Sequence, residues 1–210
     1  TFAGGLNLTS STGQGLNFGS NTLFYQNNQR FLTSYTTAAG NLTIGYQTAT
    51  GLDANGGLYN TGVGYQALGN ATSTNSNTAL GYQALKGSAT ISNTGSNTAV
   101  GYKALTANTT GIRNDAFGTN ALLSNTTGSD NAAFGTWALQ NNTTGSFNSA
   151  FGRQSLGSNT TGSFNLAIGV SLTNNTTGHS NTGVGMQSLY LNTTGSQNNA
   201  NGAYSLFSNT

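Results

Sequence analysis

Residues 97–111 read Asn-Thr-Ala-Val-Gly-Tyr-Lys-Ala-Leu-Thr-Ala-Asn-Thr-Thr-Gly, and the text recurs with small edits from Asn114, Asn131 and Asn148. The step between these copies is 17 residues each time. A step that constant means one structural unit laid down repeatedly. Working outward, further copies open at Asn41, Asn60, Asn77, Asn165, Asn181 and Asn198, with steps between 16 and 20 residues. Residues 41–210 therefore read as one repeat domain. Residues 1–40 read as an irregular lead-in or cap with one degenerate coil at 21–40. The longer steps place their extra residues around 53–58 and 87–93, which marks that side of the unit as an exposed turn.

The fifth position of every copy is glycine: Gly45, Gly64, Gly81, Gly101, Gly118, Gly135, Gly152, Gly169, Gly185 and Gly202. The fourth is apolar in all but the last, which has Asn201. Leucine usually follows four residues after the glycine, as at Leu105, Leu122, Leu139 and Leu156. Read as a strand, Thr98-Ala-Val-Gly-Tyr102 alternates faces, with Thr98, Val100 and Tyr102 on one and Ala99 and Gly101 on the other. Glycine weakens a strand unless another backbone must come close, so the glycine column predicts a line of close approach along the stack. Ala104-Leu105 is expected to form a second short strand, and Asn108-Thr-Thr-Gly111 a tight turn. A helix is excluded, because Gly, Asn and Thr are poor helix formers and no apolar stripe at 3.6 spacing persists.

The predicted fold is all-β: a parallel β-solenoid, or β-roll, of about ten 17-residue coils, with Asn and Thr forming ladders of like side chains. The coil core is assigned to Val100, Phe117, Phe134 and Phe151 with Leu105, Leu122, Leu139 and Leu156. One apolar fourth-position side chain, one Leu and two Ala make a thin core. The Ala/Gly face is therefore expected to pack against the same face of other chains in a homotrimer.

Composition narrows the function classes. Charged residues are 4% of the chain, with no cysteine and no proline. Five Lys and Arg against three Asp leave +2, and they form no run. Nucleic acid or an anionic membrane calls for clustered Lys and Arg, so neither is an expected partner. Nothing approaches 18 consecutive apolar residues, and no membrane insertion is expected. One histidine, His179, gives a metal site or a triad little support. Asp115 and Asp130 read as surface residues before they read as an acid/base pair. No metal, cofactor or catalytic residue is assigned, and the chain is expected not to be an enzyme.

Two column features remain. Tyr46, Tyr65, Tyr82 and Tyr102 fill the sixth position of the first four copies, and Phe117, Phe134 and Phe151 fill the fourth just where the tyrosines stop. The phenylalanines read as compensating core volume. The tyrosines, with Trp137, read as possible surface contacts for a glycan or a protein. The Asn-Thr-Thr copies at Asn108, Asn125, Asn142, Asn159, Asn175 and Asn192 fit the glycosylation pattern, but turn chemistry explains them too. Paired threonines also raise an ice-binding face, against which stands their placement in a turn.

Asn77-Thr-Ala-Leu-Gly81 and Asn97-Thr-Ala-Val-Gly101 resemble the repeats of trimeric autotransporter adhesin heads. The longer text resembles the repeat shafts of bacterial cell-wall-anchor surface fibres and phage tail fibres. The resemblance spans about residues 41–210, and the 17-residue step is longer than that of the adhesin heads. It implies a trimeric β-roll on the outside of a cell, or of a virion, with an adhesive role toward a host or prey surface glycan or protein. A monomeric ice- or glycan-binding solenoid is the other reading.

Overall fold

The computed structural model describes residues 23–26, 29–35, 40–49, 57–71, 75–87 and 95–209. Both long-step insertions fall largely outside these residues, as does the lead-in at 1–20. The chain is a parallel β-solenoid of about eight turns rather than ten, with coils of about 17 residues.

The parallel strands are three or four residues long. These are β3 (Asn41–Ile44), β4 (Thr61–Val63), β5 (Thr78–Leu80), β6 (Thr98–Val100) and β7 (Asp115–Phe117). They continue with β8 (Ala132–Phe134), β9 (Ser149–Phe151), β10 (Leu166–Ile168), β11 (Thr182–Val184) and β12 (Asn199–Asn201). All ten pair in parallel with their sequence neighbours in one sheet, and the register follows the repeat: Ala99 opposite Ala116, Phe117 opposite Phe134. Ahead of them, β1 (Leu23–Gln26) and β2 (Gln29–Tyr35) pair antiparallel, and β2 runs antiparallel to β3. β1 and β2 are therefore an antiparallel pair laid on the edge of the parallel stack.

The segment expected to be a second strand is instead a turn with an unusual backbone. Lys103 and Leu105 have φ of 55° and 52°, and Arg113, just before the next opening, has 55°. The same three positions recur at Asn120, Leu122 and Asp130, and again at Trp137, Leu139 and Phe147. A left-handed conformation costs an L-residue about 1–2 kcal/mol. Hydrogen bonds to neighbouring coils offset it: Leu105 N–H donates to Ala121 O at 3.0 Å, and Asn120 N–H to Tyr102 O at 2.9 Å.

The two strand faces are the reverse of the sequence assignment. Ala99, Ala116, Ala133, Ala150 and Ala167 are fully buried, whereas Phe151 is 41% exposed. Val100, Phe117 and Phe134 point outward with it, each only half-buried. Leu105, Leu122, Leu139 and Leu156 are fully buried, as expected, and with the alanines they make the core. The reason is space. Where Gly62 and Gly183 replace the inward alanine, an added Cβ would lie 3.2 Å from Leu68 Cδ1 and 3.3 Å from Leu172 Cγ. Leucine from the turn fills the narrow coil, and the strand opposite it has room for a methyl group only.

The glycine column does mark close approach, but between coils of one chain. A Cβ on Gly118 would stand 2.6 Å from the Gly135 carbonyl, and one on Gly101 2.5 Å from that of Gly118. Buried inside the coil, the alanines beside this column offer no face to another chain.

Candidate interaction surface

Two asparagine ladders hold the coil closed and define what it can present. In the first, Asn131 donates its backbone N–H and its Nδ2–H to Asn114 Oδ1, both at 3.1 Å, and its other Nδ2–H to Gly145 O at 2.9 Å. In the second, Asn142 Nδ2 donates to Asn125 Oδ1 at 2.8 Å and to the same Gly145 O at 2.9 Å. One glycine carbonyl thus receives both ladders and ties the start of a coil to its last turn. The arrangement recurs at Gly111, Gly128 and Gly162. Amides so completely paired are the condition for burying them without penalty.

This settles the glycosylation pattern. Asn108, Asn125, Asn142, Asn159, Asn175 and Asn192 are fully buried. Their Nδ2 groups are held inside the stack, so the folded chain offers no glycan acceptor at these sites.

Of each threonine pair, the first turns along the stack: Thr109 Oγ1 donates to Thr126 O at 2.8 Å, and Thr126 Oγ1 to Thr143 O at 3.0 Å. The second is free. Thr110, Thr127, Thr144, Thr161, Thr177 and Thr194 are all exposed, one per coil. The pair therefore points two ways, as the sequence suggested, but one of the two directions forms a regular outward column.

Among the described residues, several aromatic ladders lie on the surface. Tyr46, Tyr65, Tyr82 and Tyr102 are 40%, 40%, 42% and 47% exposed. Tyr65–Tyr82 and Tyr82–Tyr102 stack at 5.3 and 5.2 Å with planes within 11°. Phe117–Phe134–Phe151 stack at 4.8 and 5.2 Å. Phe147 and Phe164, in the left-handed position before the opening asparagine, stack at 5.0 Å. Stacked rings cover one another's faces, so the Tyr column presents ring edges and hydroxyls rather than platforms for sugar stacking. Trp137 is half-buried, with the Arg153 guanidinium carbon 4.9 Å from its ring centroid.

The titratable groups are scattered. Arg113 and Asp130, on adjacent coils, pair bidentately at 2.6 and 2.8 Å, and this hydrogen bond and charge raise the guanidinium pKa further above its ordinary value. Asp130 is thereby committed to Arg113, and Asp115 sits exposed in β7, so the two carboxylates do not form a pair. His179 is exposed, with Nδ1 2.9 Å from Ser196 Oγ. Among the described residues no three His, Cys, Asp or Glu side chains cluster as a metal site. No helix there is long and apolar enough to cross a membrane. A shallow cleft lined by Gln47, Gln66, Gly69 and Asn70 holds no charged group.

No protein-family model matches the chain, and neither the curated proteins nor the solved structures gave a match to it.

Proposed function

We propose that this chain is a non-catalytic structural and adhesive segment of an extracellular bacterial surface fibre, assembled as a homotrimer through the outward column of its strands. The carrying observation is that column. Leu80, Phe151 and Ile168 are 48%, 41% and 41% exposed, and their counterparts above and below are apolar through β11. Eight inter-strand steps of about 4.8 Å make the column roughly 40 Å long. With the second-position residues beside it, it covers on the order of 800 Å² per chain, the size a stable interface needs. A soluble rod rarely leaves such a stripe to water. The column repeats with the coil, so identical chains meet it with an identical ladder.

The role follows from the build. Coils joined by ladders in register transmit load along the axis and hold whatever lies beyond them away from a surface. Repeated weak contacts of the exposed tyrosine edges with a host or prey glycan or protein would add through multivalency. Light scattering on the chain and on an outward-column variant tests the assembly.

A second reading is favoured by the threonine column. Exposed hydroxyls at one per coil form a regular row that a periodic solid such as ice could match, and that function would operate in a monomer. Thermal hysteresis, lost in Thr127→Val/Thr144→Val, would support it.

A further inference from the structure

We propose that the tyrosine column is a site of oxidative modification, at which the fold templates dityrosine links between neighbouring coils of one chain. Tyr82 stands between Tyr65 at 5.3 Å and Tyr102 at 5.2 Å, with interplanar angles of 9° and 11°. Two directly bonded rings have centroids closer than this by less than the length of one bond. The rings are 40–47% exposed, so an oxidant reaches them, and coupling turns each ring about χ2 out of the stack to bring their edges together.

The rest of the chain favours the same outcome. It has no cysteine, one methionine and one tryptophan against nine tyrosines. No thiol is present to quench a phenoxyl radical before it meets a neighbour. The lone Trp137 and Met186 lie in coils beyond the tyrosine column.

The step balances with a one-electron oxidant, taken here as a haem peroxidase with hydrogen peroxide. Each phenol gives up one electron and one proton. Two phenoxyl radicals form a C–C bond between ring carbons ortho to oxygen. Each of those carbons then loses its proton, and each oxygen regains one, restoring both phenols. Two hydrogen atoms leave per link, and one peroxide is reduced to two waters. A covalent bond then joins adjacent coils along the axis, where only ladders held them. The inference does not depend on the trimer, since the paired rings belong to one chain.

The test treats the dilute chain with a haem peroxidase and limiting hydrogen peroxide, then reads dityrosine fluorescence, mass in denaturant and a tryptic map. Lys86 lies between Tyr82 and Tyr102, so a link between them joins two tryptic peptides. The expected result is single-chain mass lowered by two hydrogens per link, with Tyr82 joined to Tyr65 or Tyr102. Tyr82→Phe keeps the ring in the stack and should remove both links, leaving at most the Tyr46–Tyr65 pair. Tyr59 and Tyr204, 63% and 54% exposed, are more open but, among the described residues, stack on no other tyrosine. Links that map to those two between chains, or a yield unchanged in Tyr82→Phe, would overturn the proposal.

Discussion

Asn131 and Asn114, one coil apart, share an oxygen: Asn114 Oδ1 takes both the backbone N–H and the Nδ2–H of Asn131, each at 3.1 Å. Asn131 is 1% exposed and Asn114 fully buried, so neither group has water as an alternative. Leaving a buried donor unmade costs about 1–3 kcal/mol. Asn131→Ala strands the backbone N–H and amide of Asn148, which both donate to Asn131 Oδ1. We expect a loss of about 2–4 kcal/mol, read as a lowered urea midpoint.

Asn131→Asp adds a pH signature. One carboxylate oxygen would face Asn114 Oδ1 and Gly145 O, acceptor against acceptor, in a buried site. Burial and that repulsion raise the folded-state pKa above the unfolded value. The sign follows: the variant is most stable below the ordinary aspartate range and loses stability as pH rises through the raised pKa. Thermal melts at acid and neutral pH should show the gap to wild type narrowing in acid.

Gly135→Ala should be far more damaging than Gly157→Ala. The first puts a Cβ 2.6 Å from the Gly152 carbonyl oxygen at a φ of 143°. The second meets Gln154 O at 3.1 Å without a left-handed backbone. We expect the first to prevent coil stacking, seen as lost β-type circular dichroism. The second should shift stability by roughly 1 kcal/mol or less.

Gln197, exposed and at φ 60°, tests the left-handed positions. Asparagine tolerates that conformation and a β-branched residue does not. Gln197→Asn should raise stability by about 0.5 kcal/mol, and Gln197→Val should lower it by about 1–2 kcal/mol. Equal melting temperatures for the two variants would count against the strained backbone.

Much of the solenoid could be read from the residues. The 17-residue step, the opening asparagines and the leucines after each glycine gave the period, one ladder and half the core. The sign of the strand faces was not legible. Alternation separates Ala99 and Gly101 from Val100 and Tyr102, but it does not say which set is inside. Placing bulk inward fails because Leu105 already fills the coil from the turn, a three-dimensional fact with no trace in the alternation. The left-handed φ of Leu105 and Arg113 was also invisible, since glycine or asparagine would signal it and neither is there. The Asn-Thr-Thr-Gly turn looked like a surface corner, yet Asn108 carries a buried second ladder.

The outward column is the feature on which the functional proposal stands, and the mass of the chain in solution tests it most directly. Light scattering should give three times the 21.3 kDa of one chain. Phe151→Ser/Ile168→Ser should reduce that to one chain without changing the circular dichroism, because both side chains point out of the coil. A wild-type mass of 21.3 kDa, or a trimer indifferent to both substitutions, would contradict it.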